Sequence, residues 1–191
     1  MILSHLFKPL SALTDDELMQ RVSCKDDDRA FGELYHRYAR RLMGFFFRQL
    51  DRDEALASDF TQDAFMRVWT ARDKFTGTTF RTWLFTIAFN LIKNHIRHSA
   101  HQKQYEQFVA KHQAVTEDSK IIETLDEKAF ADALRQELER LSSDARLLFS
   151  LRFEEELSVP QIAEVMAIPE GTVKSRLHTL TQTLKKKLNP A

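Results

Sequence analysis

An all-α protein, two small helical domains joined by a flexible linker, is what this chain predicts, and three observations predict it. Gly and Pro number four each among 191 residues, too few turn-formers for a protein of hairpins. Apolar residues recur at three- and four-residue steps along most of the chain, and no stretch shows the valine- and threonine-rich alternation of strands. From Ser99 to about Thr124 that periodicity fades into Gln, His, Lys, Glu and Ser. A structureless stretch of that length inside one compact domain would be unusual. It is therefore expected to tether two modules: an N-terminal helical bundle over 10–98, a linker over 99–124 and a C-terminal helix-turn-helix domain over 125–191.

Each element has a local cause. Thr14-Asp15-Asp16-Glu17 has capping-box spacing and opens a short helix through Val22. Lys25-Asp26-Asp27-Asp28 ends it, and its acidic residues suit the positive end of the next helix dipole. That helix is expected from Arg29 to Leu50, where Phe31, Leu34, Tyr35, Tyr38, Leu42, Phe45 and Phe46 form an apolar stripe. An aromatic stripe at this spacing is core rather than a cofactor pocket. Asp51-Arg52-Asp53 breaks the chain before a helix from about Glu54 to Ala71. Lys74 to Thr79 forms a loop, and a long helix follows from Phe80 to His98 with Trp83, Leu84, Ile87, Ala88, Leu91 and Ile92 facing inward. In the second module Ala129, Phe130, Ala133, Leu134, Leu138 and Leu141 mark one helix, and Ser142-Ser143-Asp144 caps another carrying Leu147, Leu148, Leu151 and Phe153.

The richest stretch runs from Ser158 to Leu177. Ser158 and Gln161 have capping-box spacing, and Ile162, Val165 and Met166 face inward from the helix they open. Pro169 suits the first turn of a second helix, where its missing N–H costs nothing. Val173, Leu177, Leu180 and Leu184 form that helix's buried stripe, which leaves Gly171, Lys174, Ser175 and His178 on the opposite face and Thr172 and Arg176 on the flanks. This is the pattern of a helix-turn-helix, whose second helix enters the DNA major groove. Lys174 reaches guanine acceptors or phosphate, Ser175 donates or accepts at base edges, Gly171 admits the backbone closely and Arg176 holds phosphate. Lys185-Lys186-Lys187 suits the negative helix end as well as DNA.

Lys plus Arg equals Asp plus Glu at 28 each, an unusual balance for a free-standing DNA binder, which is normally basic. Acidic surface is thus committed elsewhere, and a protein partner is the simplest use for it. The single cysteine, Cys24, excludes an internal disulfide and fits a reducing compartment. The N-terminal segment is too short for a signal peptide and no run reaches the length of a membrane span, so a cytoplasmic protein with no membrane insertion of its own is expected.

Beyond the helix-turn-helix, three motifs resemble the extracytoplasmic-function sigma factors, a group of the sigma-70 family of bacterial RNA polymerase initiation factors. Ala30-Phe31 with Leu34-Tyr35-His36-Arg37-Tyr38 is similar to the opening of that family's region two. Asp59-Phe60-Thr61-Gln62-Asp63-Ala64-Phe65-Met66-Arg67-Val68-Trp69 resembles its polymerase-binding helix, and Phe80-Arg81-Thr82-Trp83-Leu84-Phe85-Thr86-Ile87-Ala88-Phe89-Asn90 the segment after it. Gly171-Thr172-Val173-Lys174-Ser175-Arg176-Leu177 resembles region four, and all these segments stand in the family's order and at its distances.

The resemblance implies that Asp59, Gln62, Asp63 and Phe65 dock on core RNA polymerase. It implies that Lys74, Phe75, Thr79, Phe80, Arg81, Asn90, Lys93 and Arg97 recognise and open the minus-ten element of promoter DNA, with the loop from Phe75 to Thr79 and Asn90 selecting a flipped base. Trp83 belongs to the core stripe as well, and its structural role takes precedence. Gly171, Thr172, Lys174, Ser175, Arg176 and His178 are implied to read the minus-thirty-five duplex. An anti-sigma factor holds many members of the family inactive. Two departures from the family pattern stand out: Thr179 and Thr181 replace basic residues, and Ala167 occupies a turn position often held by Gly.

His95, His98 and His101 are spaced for one helix face, but no acidic or cysteine ligand completes a zinc site nearby, so no metal is expected. No nucleophile–base set or phosphate loop suggests an enzyme, a small-molecule substrate or a cofactor. The main functional rival is a stand-alone helix-turn-helix regulator binding an operator as a dimer, and it lacks a dimer seam or ligand-pocket signature. A helical adaptor that binds polymerase without DNA is opposed by the basic reading face.

Overall fold

The computed structural model describes residues 9–109 and 126–188, with 100–109 and 126–132 described in backbone only. Among the described residues there are helices and no strands. The N-terminal module holds α1 (Asp15–Lys25), α2 (Asp28–Gln49), α3 (Glu54–Thr70) and α4 (Phe80–Val109). The C-terminal module holds α5 (Asp126–Glu139), α6 (Ser143–Phe149), α7 (Val159–Met166) and α8 (Glu170–Leu188).

The helix starts are fixed by side chains placed where free backbone N–H groups need acceptors. Thr14 Oγ1 accepts from the Glu17 N–H at 3.2 Å while Glu17 Oε2 accepts from the Thr14 N–H at 2.7 Å, closing the expected box. Asp27 caps α2 through the N–H groups of Arg29 and Ala30, and Asp53 caps α3 through Leu56. The start of α4 takes a remote cap: the Phe80 N–H donates to Asp16 Oδ1 of α1 at 2.7 Å. Each such cap contributes about 1 kcal/mol.

Leu34, Leu42, Phe45, Phe46, Phe80, Phe85, Leu84 and Ile92 are fully buried and knit α2 to α4. Phe45 meets Phe85 edge-on at 5.4 Å, and Tyr38 meets Phe80 at 5.3 Å, the offset geometry that aromatic quadrupoles favour. Arg37 ties the chain before α1 to this core, pairing with Asp15 at 2.8 Å and Glu33 at 2.9 Å and donating to the Leu13 carbonyl at 2.9 Å. Beside it the Tyr38 hydroxyl donates to Asp15 Oδ2 at 2.5 Å. Burial, and then this bond, push the Tyr38 phenol above the ordinary tyrosine range.

Two elements differ from the sequence-based expectation. The α4 helix runs on to Val109 rather than ending near His98, because nothing between Phe80 and Val109 breaks it: the stretch has no Gly or Pro and ends in helix-forming Ala, Gln, Lys and Glu. The linker expected over 99–124 falls largely in 110–125, outside the described residues, as do the side chains of His101, Ala129 and Phe130. Between α6 and α7 the helix widens into a π turn over Ser150–Glu154, where the Glu155 N–H donates back to the Ser150 carbonyl at 2.8 Å.

That turn also lies where the modules meet. The two helical modules expected from sequence pack together: α7 lies along α4, and buried residues of both modules form one continuous apolar cluster. From Phe80 to Ile92, Asn90 alone on α4 is exposed, the signature of a helix covered on more than one side.

Candidate nucleic-acid interface

The reading head is built as its sequence requires. Ser158 and Gln161 close a capping box at the start of α7, with the Gln161 N–H donating to Ser158 Oγ at 3.4 Å and the Ser158 N–H to Gln161 Oε1 at 2.9 Å. Ala167 ends α7 in the left-handed region, φ 53°, and the Ile168 N–H folds back on the Ala163 carbonyl at 3.0 Å. The position that often carries Gly is thus left-handed here. Val173, Leu180 and Leu184 are buried, and Ile162, Val165 and Met166 close the core beneath them.

On the other side Gly171, Lys174, Ser175, Arg176 and His178 are exposed, and Thr172 is half-buried. A Cβ on Gly171 would meet nothing within 4 Å, so this end of α8 is open to a close partner. Lys174 lies 3.7 Å from Glu170 and Arg176 3.9 Å from Asp144, both loose surface pairs that a phosphate can displace. Thr179 and Thr181 donate to the Ser175 and Leu177 carbonyls of their own helix, so they offer no cation and commit their hydroxyls internally.

The second surface centres on the loop before α4. Gly77 sits at φ 72°, a conformation that needs glycine. Lys74 and Thr79 are exposed, and Phe75 is half-buried against Trp83 at a ring distance of 5.3 Å. Asn90, Lys93 and Arg97 are exposed and recur at three- and four-residue steps, on the same side of α4 as Trp83. Loop, aromatic pair and polar-basic stripe together can capture an unstacked base and follow its backbone. Phe80 does not belong to this surface: at 0% exposure it is core, held against Tyr38. Arg81 is turned toward the other module, where its guanidinium donates to the Glu155 carbonyl.

A third surface lies on α3. Asp59 and Gln62 are exposed, and Asp63 pairs with Arg67 at 3.0 Å one turn on. Phe65 is 3% exposed and wedged between Phe31 and Tyr35, so it supports this face from beneath instead of presenting a side chain to a partner. Two residues on this surface were not assigned to it from sequence: Met66 was not singled out, and Tyr35 was expected in the core stripe of α2. Met66, 69% exposed, follows Asp59 and Gln62 at helical spacing, and Tyr35 is 44% exposed over Phe65. An apolar residue in a register otherwise held by polar ones was the available signal.

Also unforeseen was a set of arginines at the C-terminal half of α2 and just beyond it. Arg41 and Arg48, seven residues apart on α2, and Arg52 in the turn that follows reach the C-terminal module. Arg41 Nε meets Glu155 Oε2 at 2.5 Å, Arg48 meets Glu154 at 2.7 Å and Glu155 at 3.4 Å, and Arg52 meets Glu139 at 2.6 Å. Burial drives the Glu155 carboxyl above the ordinary carboxylate range, with Arg41, Arg48 and Arg81 pulling the other way. Among the described residues no cluster of His, Cys, Asp and Glu is arranged to hold a metal ion, and no helix is long and apolar enough to cross a membrane.

Comparison with known proteins places these surfaces in context. Residues 34–102 match the family model for sigma-70 region 2, and 131–179 that for sigma-70 region 4. The chain is 32% identical over 184 residues to the RNA polymerase sigma-H factor of Pseudomonas aeruginosa, covering 92% of this chain and 94% of that protein. It is 30% identical over 187 residues to the ECF RNA polymerase sigma-E factor of Haemophilus influenzae, covering 93% and 97%. Among solved structures the fold is similar to the sigma factor RpoE of Bartonella quintana in complex with the anti-sigma factor NepR, with a TM-score of 0.65 at 24% identity over 84% of this chain and 97% of that one. It is also similar to CnrH in complex with the cytosolic domain of CnrY, with a TM-score of 0.63 at 22% identity over 90% and 96%.

Proposed function

The chain belongs to the extracytoplasmic-function group of the sigma-70 family, and from that premise we propose how its two modules divide the work of promoter-specific transcription initiation. The N-terminal module, assigned to 10–98 with its last helix continuing to Val109, docks on core RNA polymerase and opens the minus-ten element. The C-terminal module, assigned to 125–191, reads the minus-thirty-five duplex, and 99–124 spans the distance between them. The observation that carries this division is the exposure of three separate faces: acidic and apolar on α3, polar, basic and aromatic around the α4 loop, and basic on α8.

On α3, Asp59, Gln62 and Asp63 offer carboxylates and an amide to a partner's arginines, in charge-assisted bonds about twice as strong as neutral ones. Met66 and Tyr35 add apolar area beside them. At the minus-ten element Phe75, Thr79 and Asn90 line the place for an extruded base, and Lys74, Lys93 and Arg97 follow the strand. Phe80 holds the loop's end from the core. Lys174, Ser175 and His178 meet base edges, while Thr172 and Arg176 grip phosphate and Gly171 lets the backbone come close.

The protein acts as a specificity factor in the cytoplasm, with no catalytic chemistry, metal or cofactor of its own. An anti-sigma factor is proposed as a further partner, because the similar structure of the Bartonella quintana sigma factor RpoE is a complex with the anti-sigma factor NepR. Relatives matched over more than nine-tenths of their length are RNA polymerase sigma factors, which favours this function over a stand-alone regulator. Run-off transcription with core polymerase on genomic fragments tests it: start sites selected only when the protein is added support the function, and none selected overturns it. Replacing residues 75–79 with another member's loop should change the minus-ten preference, and an unchanged preference refutes the base-selecting role.

A further inference from the structure

The loop assigned to base selection has little hold of its own. Among the described residues, none accepts a hydrogen bond from the amides of Thr76, Gly77, Thr78 or Thr79, and Thr76, Gly77 and Thr79 are exposed. A segment with unpaired amides and few buried contacts opens easily unless its ends are fixed.

Both ends are fixed by one helix. At the exit, Asp16 in the first turn of α1 accepts the Phe80 N–H at 2.7 Å, a group that finds no acceptor within α4 itself. The Asp16 charge thereby faces two positive helix ends, that of α1 and that of α4. At the entry, Arg72 Nε donates to Oδ1 of Asp26, the residue that ends α1, at 2.6 Å. Arg72 is itself set by its neighbour Trp69: it donates to the Trp69 carbonyl at 2.8 Å and lies over the ring at 4.6 Å. It carries the position of Asp26 into the 3-10 turn Arg72–Lys74, from which the loop departs and against which α1 packs. Ten residues of helix set the two carboxylates about 15 Å apart, well short of the about 28 Å that the eight steps from Arg72 to Phe80 could cover when extended. The helix is a splint that keeps the loop arched.

We propose that Asp16 and Asp26 are positioning residues for minus-ten recognition: from the two ends of α1 they hold the loop over 75–79 in the arch that receives the selected base. The role rests on the sigma-factor reading and deepens it, because it places a determinant of base selectivity outside the loop. Loss of either bond lets the loop take shapes that meet the right and the wrong base alike. Discrimination at that base then falls, while the minus-thirty-five contacts on α8 are untouched.

Holoenzyme made from core polymerase and the full chain tests this on promoters varied one base at a time. Asp16 and Asp26 are both exposed, so their replacement opens no core. Asp16→Ala should lower the preference at the selected minus-ten base about fivefold, the factor a lost cap carries, and Asp16→Asn, which keeps an acceptor oxygen, should restore it. Asp26→Asn removes the charge but tolerates the left-handed backbone at φ 51°, and should lower the preference about twofold. Asp28→Asn, the same change at an exposed residue two places on, should alter nothing. In the free full-length protein, exchange of the Phe80 amide followed by NMR should quicken about fivefold in Asp16→Ala and return to its first rate in Asp16→Asn. An unchanged minus-ten preference in Asp16→Ala holoenzyme, or equal losses at the minus-ten and minus-thirty-five elements, overturns the positioning role. Faster Phe80 exchange in Asp16→Ala, with no start site selected even by unsubstituted holoenzyme, supports the hold of α1 on the loop and overturns the sigma-factor reading instead.

Discussion

Ala167→Gly should stabilise the protein, an unusual direction for a substitution that removes a side chain from a packed motif. Ala167 ends α7 at φ 53° and ψ 46°, where its Cβ crowds the following carbonyl at a cost of about 1–2 kcal/mol for an L-residue. Its side chain is exposed, so no buried area is lost with the methyl group. Against the relieved strain stands the greater freedom of Gly in the unfolded chain, about 0.4–1 kcal/mol. The balance is a gain of about 0.5–1 kcal/mol, or about 1–4 °C in Tm for a chain of this size. Thermal denaturation followed by circular dichroism measures it. Ala163→Gly, in the middle of α7 with an ordinary helical conformation, is the matched control and should lower stability by about 1 kcal/mol. A Tm that falls in both variants would refute the claim that the αL strain at the turn outweighs chain entropy.

Other outcomes follow from the same geometry. Phe80→Ala should destabilise the N-terminal module by about 3–5 kcal/mol, whereas Phe75→Ala, at a ring half-buried against Trp83, should cost clearly less and slow open-complex formation; equal stability losses would contradict the core and surface placements. Tyr38→Phe should flatten the alkaline limb of stability. The folded phenol holds its proton above the ordinary range, so folding stability present below about pH 10 is lost as pH rises beyond it, and a hydroxyl-free ring has no such loss. Unfolding free energy measured from pH 8 to 11 checks the difference between the two curves. Lys174→Ala in the polymerase complex should erase about 1–3 kcal/mol of preference at one minus-thirty-five position if its partner is guanine, read from transcription on single-base promoter variants. An unchanged preference at every position would leave it a phosphate contact.

The helices and the reading head were legible because their causes are local. Thr14 with Glu17, and Ser158 with Gln161, are caps written within four residues, and the stripes through Phe45 and Val173 repeat at the helical period. Phe65 and Phe80 misled for a reason of the same kind. Each sits inside a motif of surface function, and a motif does not say which of its aromatics hold the others in place. The module interface could not be read at all. Glu155 stands in an acidic run that looks solvated, and its partners lie more than a hundred residues away on α2. Nor does helical periodicity anticipate a π turn, which shifts the register by one residue and redirects everything after it.

The bond from the Phe80 amide to Asp16 has a practical consequence. The segment matching region 2 starts at residue 34, and expressing only the matched portion would discard α1 and with it the carboxylate that terminates the promoter loop. Such a fragment would retain the loop and every exposed side chain assigned to strand opening, yet its downstream anchor would be free to fray. Experiments on the isolated domain should therefore begin no later than Pro9, so that a failure to melt DNA is not mistaken for a missing contact.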